Sequence, residues 1–116
     1  NELLTKDEII NNVTFIADIV EVPSADALKK LCFDLKNHLN DHVSVLCSNI
    51  DGKALVAIGI SDTVVAAKGL DAGKIIKEHV APLIKGGGGG QKNLATAGGT
   101  DVGNLRQVIE KVKSLL

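Results

Sequence analysis

Apolar residues recur along the chain with two different periods, and the places where one period gives way to the other divide it into elements. From Thr14 to Val22 the run TFIADIVEV sets Phe15, Ala17 and Ile19 on one side and Ile16, Val20 and Val22 on the other, the pattern of a strand covered on both faces. Pro23-Ser24 interrupts it and offers Ser24 as an N-cap, after which Leu28, Leu31, Cys32, Leu35 and Leu39 fall at helical spacing, predicting an amphipathic helix over about 24–40. VSVLCSNI and KALVAIGI then flank Asp51-Gly52, a dipeptide that supplies the positive φ angles of a tight hairpin turn, so two antiparallel strands are expected. From Leu70 onward, with Asp71 as cap, Ile75, Ile76, Val80, Leu83 and Ile84 line one helical face. Pro82 cannot donate to the carbonyl of Glu78, which predicts a bent or shortened last turn. Asp101 caps a last helix with Val102, Leu105, Val108, Ile109, Val112 and Leu115 at the right period. Ahead of all these, Thr5-Lys6-Asp7-Glu8 has the spacing of a capping box and predicts a short helix ending near Asn11-Asn12. The order is roughly αβαββαβα. With few strands and a hairpin among them, it implies an α/β domain of the α+β kind: a small mixed sheet with helices packed on it.

Composition narrows this further. A chain of 116 residues, 45% of them hydrophobic, is the length of one compact domain able to bury a core without metals or disulfides. No apolar run approaches the roughly 18–20 residues of a membrane span, and no basic stretch leads into an apolar one at the start, so a cytoplasmic protein with no membrane partner is expected. The chain opens on Asn1 in a polar pattern, as a piece of a longer parent would. Cys32 and Cys47 sit on predicted apolar faces and read as inert thiols in a reducing compartment. The net charge of −1 hides an asymmetry: residues 1–51 carry four Lys against nine acids, and residues 52–116 carry eight Lys and one Arg against five. A basic half of this kind suits a polyanion-facing side. Phe15 and Phe33 are the sequence's whole aromatic content, which disfavours binding single strands by stacking bases on aromatic platforms and leaves phosphates, sugars and shape.

The stretch IKGGGGGQKNLATAGGT, residues 84–100, breaks the regular patterning. A Walker loop needs Lys directly after its last Gly and then a hydroxyl; here Gln91 intervenes and Asn93 follows Lys92. The dinucleotide fingerprint needs a third glycine where Gln91 stands, and a preceding strand where a helix is predicted. An interdomain linker is excluded because only 26 residues follow Gly90, too few for a second core. What remains is an internal helix-to-strand turn whose main chain stays accessible, with successive N–H groups able to form an anion-binding concavity between Lys85 and Lys92.

Other constellations carry no chemistry. His38 and His42 are spaced H-x-x-x-H but lack the Glu of a zinc-protease motif and a third ligand, and they straddle the predicted helix end. Asp41-His42 is followed by Val43, which breaks a DHH signature. Ser44, Ser48 and Ser61 have no spaced base and carboxylate, so no catalytic residue is assigned.

At GLDAGKIIKEHVAPLIKGGGGGQKNLATAGGTDVGNLRQVIEKV the sequence resembles the C-terminal domain of alanyl-tRNA synthetases, which is similar to the C-terminal domain associated with DHH phosphoesterases. The family hallmark resembles GGGGGRPDMAQAGG, and Ala72-Gly73, Gly86 to Gly90, Ala95 and Ala97-Gly98-Gly99 match it. The resemblance covers residues 12–116, with residues 1–11 resembling the end of a preceding helical linker. Gln91-Lys92-Asn93-Leu94-Ala95-Thr96 replaces Arg-Pro-Asp-Met-Ala-Gln, so a role carried by that Arg does not transfer to Gln91. The phosphoesterase branch typically carries His after the glycines, and its absence favours the synthetase branch. The resemblance implies a noncatalytic tRNA-binding domain of a parent alanine–tRNA ligase, which itself uses ATP, magnesium and zinc, while this segment holds no cofactor. The implied partners are alanine tRNA and the parent's other domains, with self-association in some relatives. The expected RNA contacts are Lys85, Gly86, Gly87, Gly88, Gly89, Gly90, Gln91, Lys92, Gly98, Gly99, Lys68 and Lys74. The alternatives are a homo-dimerisation module of the same enzyme and an accessory nucleic-acid-binding domain of a DHH-type phosphoesterase.

Overall fold

The computed structural model describes residues 7–10, 13–38 and 41–115. Six strands form one mixed sheet: β1 (Asp7–Ile10), β2 (Val13–Ile19), β3 (His42–Ile50), β4 (Lys53–Ile60), β5 (Gly86–Gly90) and β6 (Leu94–Gly99), in the order β1-β2-β3-β4-β6-β5. Among the described strands only the β2–β3 pair is parallel. It is joined by the crossover helix α1 (Ala25–His38), as a parallel pair requires. Ser24 Oγ accepts from the Ala27 backbone N–H at 3.2 Å and starts that helix where the sequence places the cap. Leu39 lies outside the described residues, as does the side chain of Leu35.

The two-sided apolar pattern of β2 has a direct counterpart in two cores. Val13 and Phe15 of β2 join Val43, Val45 and Cys47 of β3 and Val56, Ile58 and Ile60 of β4 on one face of the sheet. On the other face, Ile16, Leu46 and Ala57 meet Leu28 and Cys32 of α1. The larger core is closed by two further segments. One is a helical stretch of α3 (Ala72–Ile75), a wide π turn (Ile76–Val80) and α4 (Ala81–Ile84), which brings Ile76, Val80 and Ile84 inward. The other is α5 (Leu105–Ser114), entered through a short 3-10 turn (Val102–Asn104), which adds Leu105, Val108 and Val112. Burying a side chain of this size contributes about 1.5–3 kcal/mol.

The Asp51-Gly52 hairpin forms as expected, with φ angles of 52° and 80°, and Gly52 N–H donates to Asn49 Oδ1 at 3.1 Å. The last turn is not shortened at Pro82, since α4 runs on through it to Ile84. The turn before Pro82 widens, so the Ala81 N–H reaches back five residues to the Ile76 carbonyl.

The fold class therefore stands, while the element order needs three corrections. Asp7–Ile10, placed in a capped helix, is a strand paired antiparallel with β2 from Asp7↔Ile16 to Ile10↔Val13. A helix of so few residues does not repay its nucleation, and an open sheet edge beside an Ile-Ile pair does better. The Thr5-Lys6 part of the capping box and Asn11-Asn12 lie outside the described residues. The second correction is a helix the pattern did not announce, α2 (Asp62–Lys68), which buries Val64 and ends on Gly69 in the left-handed region at φ 65°. Two turns offer too few apolar positions to show a period. The third concerns the glycines: residues 86–90 form a strand at the sheet edge, not a turn.

Candidate nucleic-acid interface

Lys85 ends the α3–α4 stretch in the left-handed conformation at φ 53°, its N–H bonded to the Ala81 carbonyl, and the glycine strand starts at the next residue. Both ends of β5 are held by hydrogen bonds to the flanking main chain. At the start, Asp101 N–H donates to the Ile84 carbonyl at 2.9 Å, and Asn104 Nδ2 donates to the Leu83 carbonyl at 2.8 Å. At the far end, residues 91–93 turn the chain into β6, with Gln91 N–H donating to the Leu94 carbonyl at 2.9 Å. Three neighbouring elements then pin that turn. The carbonyls of Gln91 and Lys92 accept from Gly73 and Ala72 N–H at 3.2 and 2.9 Å, and the Asn93 carbonyl accepts from Ile60 N–H at 2.9 Å. Asn93 Nδ2 donates to Asp62 Oδ1 at 3.0 Å. The carbonyls of the turn are used inward, while the Gln91 and Lys92 side chains are exposed.

The same bonds spend the first N–H groups of α3, and Asp71 Oδ1 takes the N–H of Lys74 at 3.1 Å. That helix start is thus internally satisfied. An extended strand also points its successive N–H groups in alternating directions, so the anion-binding concavity expected between Lys85 and Lys92 does not form. What forms instead is an edge strand with one row of main-chain donors and acceptors facing away from β6.

Steric demand separates the five glycines. A Cβ on Gly86 would lie 2.7 Å from the Gly98 carbonyl carbon, one on Gly88 2.6 Å from Ala97 Cα, and one on Gly90 2.6 Å from the Leu94 oxygen. Each would collide with the backbone of β6. A Cβ on Gly87 would meet nothing within 4 Å, and one on Gly89 would meet only Lys77, 3.1 Å from Cε. Three of the glycines are therefore demanded by the strand pairing, and two are not.

Gly98 and Gly99 lie on β6 opposite Gly87 and Gly86. Gly99 is packed against the end of α4, since a Cβ there would lie 2.8 Å from the Ile84 carbonyl carbon. Beside the hairpin runs an open groove of about 240 Å³ between Leu28 of α1, Leu55 of β4, Thr96 and the glycine backbone of residues 87, 88 and 98. Of the twelve expected contacts, Lys85, the five glycines, Gln91, Lys92, Gly98 and Gly99 are brought together on this hairpin, and Lys74 sits in the helix that caps its turn. Lys68 stands apart in the last turn of α2; among the described residues no hydrogen bond or ion pair joins it to the hairpin.

Of the serines considered for catalysis, Ser44 and Ser61 are taken up in structural hydrogen bonds, while the buried Ser48 hydroxyl has no partner among the described residues. The Ser44 hydroxyl lies 3.3 Å from Cys32 Sγ and donates to the Gly59 carbonyl at 3.4 Å, while Ser61 Oγ accepts from the His42 N–H at 2.9 Å. His42 is fully buried, and the side chain of His38 lies outside the described residues. Both cysteines are buried free thiols. Desolvation pushes the Cys32 thiol from 9.0 to about 11, against a smaller opposing effect of its hydrogen bond to Ser44. Among the described residues no three His, Cys, Asp or Glu side chains are placed to hold a metal ion. No helix among those residues is long and apolar enough to cross a membrane.

The DHHA1 domain model matches residues 12–116. The chain is 41% identical over 109 residues to the alanine–tRNA ligase of Cytophaga hutchinsonii, an alignment covering 94% of this chain and 12% of that enzyme. It is 37% identical over 114 residues to the alanine–tRNA ligase of Bacteroides thetaiotaomicron, covering 97% of this chain and 13% of that one. It thus spans about an eighth of the length of these curated relatives. Its fold superposes on the crystal structure of the C-Ala domain from Aquifex aeolicus alanyl-tRNA synthetase with a TM-score of 0.85 at 27% identity, covering 96% of this chain and 97% of that domain.

Proposed function

The chain belongs to the DHHA1 domain family, and from that membership we propose that it is the noncatalytic, tRNA-binding C-terminal domain of an alanine–tRNA ligase. In this reading residues 12–116 form the domain, Asp7–Ile10 of the segment that precedes it adds an edge strand to the domain's sheet, and the chemistry that needs ATP and metals belongs to other parts of the enzyme. The partner is alanine tRNA, held so that the aminoacylation and editing centres can share one substrate in the cytoplasm.

The observation that carries the reading is Gly87, a residue without a side chain at a place where the fold leaves a side chain room. Such a gap keeps backbone open to a ligand, and it lies on a hairpin with exposed Lys85 before the strand and exposed Lys92 after it. Contacts from main chain and lysine, with no aromatic residue on the hairpin, suit recognition of RNA by phosphate and shape. Lys85→Glu and Lys92→Glu are each expected to weaken alanine-tRNA binding roughly tenfold at low salt and to flatten the dependence of log K on log salt by about one unit. Titration of the chain with labelled tRNA at several salt concentrations measures both, and unchanged curves for the two variants would sink the reading.

Self-association is the second reading, favoured by the unpaired outer edge of β5. It predicts a sedimentation coefficient that rises with protein concentration and falls back when Gly87→Pro blocks edge pairing. A concentration-independent monomer overturns it.

A further inference from the structure

Lys77 stands one helical turn beyond Gly73, on the same face of the stretch that runs from α3 into the π turn. That face is pressed against the glycine strand. A Cβ on Gly73 would lie 2.9 Å from the Gly90 carbonyl oxygen, so the helix and strand main chains touch there. One residue back along the strand, a Cβ on Gly89 would meet Lys77, 3.1 Å from Cε and 3.9 Å from Nζ. The lysine stem therefore lies across Gly89, in space that a side chain would fill, and this contact gives Gly89 a reason that strand pairing does not supply. Lys77 is exposed, and among the described residues no ion pair to a carboxylate occupies its ammonium.

We propose that Lys77 and the main chain of Gly87–Gly89 form one phosphate-contact site, in which the Lys77 ammonium binds the RNA backbone at the middle of the glycine strand. The proposal rests on the tRNA-binding reading of the hairpin and adds the cation that reading lacks. Lys85 precedes the strand and Lys92 follows it, which leaves a strand roughly 15 Å long without charge between its ends. Lys77 supplies that charge from the neighbouring helix. Its ammonium offers three donors to phosphate oxygens, and the edge strand offers N–H groups beside them. The site is built rather than incidental because the Gly73–Gly90 contact fixes the helix against the strand one turn before Lys77.

The test titrates the whole chain with an alanine-tRNA transcript over a range of salt. It compares wild type with Lys77→Gln, Lys77→Arg, Gly89→Ala and, as control, Lys111→Gln at an exposed position of α5, with thermal melts to verify that each variant is folded. Lys77→Gln is expected to weaken binding about five- to tenfold at low salt and to lower the salt slope by about one, with Lys77→Arg recovering most of both. Gly89→Ala displaces the stem and should weaken binding in the same direction, while Lys111→Gln matches wild type. If wild type binds and Lys77→Gln keeps its affinity and slope, Lys77 makes no contact and the proposal is overturned while the hairpin reading stands. If wild type binds no tRNA at any salt, the hairpin reading itself falls and takes this proposal with it.

Discussion

Gly88→Ala is expected to destabilise the domain by about 2–4 kcal/mol, whereas Gly87→Ala, one residue earlier in the same run, should leave stability within about 0.5 kcal/mol or raise it slightly. The difference follows from where each Cβ would go. At Gly88 it would lie 2.6 Å from Ala97 Cα, a backbone atom of the neighbouring strand that cannot step aside as a side-chain tip can. Relief requires β5 to move off β6, which breaks the ladder that runs from Gly86↔Gly99 to Gly90↔Ala95. At Gly87 nothing lies within 4 Å, and alanine lowers the entropy of the unfolded chain, which favours folding by up to about 1 kcal/mol. Urea unfolding of the two variants beside wild type measures the difference. The same pair should reverse order in tRNA titrations corrected for the folded fraction, since Gly87→Ala fills the open side of the hairpin. Equal losses of stability at positions 87 and 88 would refute the division of the run into glycines needed by the fold and glycines left for a ligand.

That division also marks how far the sequence could be read. The two faces of β2, the Ser24 cap and the Asp51-Gly52 hairpin were all legible, because each rests on a local rule that the surrounding residues reinforce. The glycine run was not, since glycine carries no periodicity and its local preference is for turns. Its strand is imposed from outside: pairing with Leu94–Gly99, a helix pressed on Gly73, and a turn whose carbonyls are taken by Ala72, Gly73 and Ile60. Asp7–Ile10 shows the same override in the opposite direction, a plausible helix start converted into an edge strand by a partner. Gathering Lys85, Gln91, Lys92, Gly98 and Gly99 at one place needed only the resemblance to a family motif, because the hairpin keeps them near in sequence. Lys77 could not be separated from the other lysines until the helix was seen lying on the strand. Its only signal in the sequence was the four-residue spacing from Gly73.

The thiol of Cys32 should make stability depend on alkaline pH in a way that Cys32→Ala removes. Cys32 is fully buried between α1 and the sheet, and a Cβ on Gly59 would come 2.9 Å from its sulfur, so the space around it is filled. Burial holds the folded-state thiol near 11 against 9.0 for the free group. A raised value means that the folded state keeps its proton after the unfolded state has begun to release one. Stability is therefore complete below pH 9, declines through the interval from 9 to 11, and levels off above it. The loss attributable to this one group reaches about 2 kcal/mol by pH 11, at 1.36 kcal/mol for each pH unit of displacement. At pH 7 the alanine variant should be the less stable protein by about 1 kcal/mol, because removing the sulfur leaves a small cavity. Lysines that titrate in the same interval are common to both proteins and cancel in the difference. The gap between wild type and Cys32→Ala should accordingly narrow as pH rises and change sign just below pH 10, at roughly 9.7. Urea unfolding at half-unit pH steps tests this. A gap that stays constant from pH 8 to 11 would mean that the folded thiol ionises as freely as the unfolded one, and that α1 does not seal this face of the sheet.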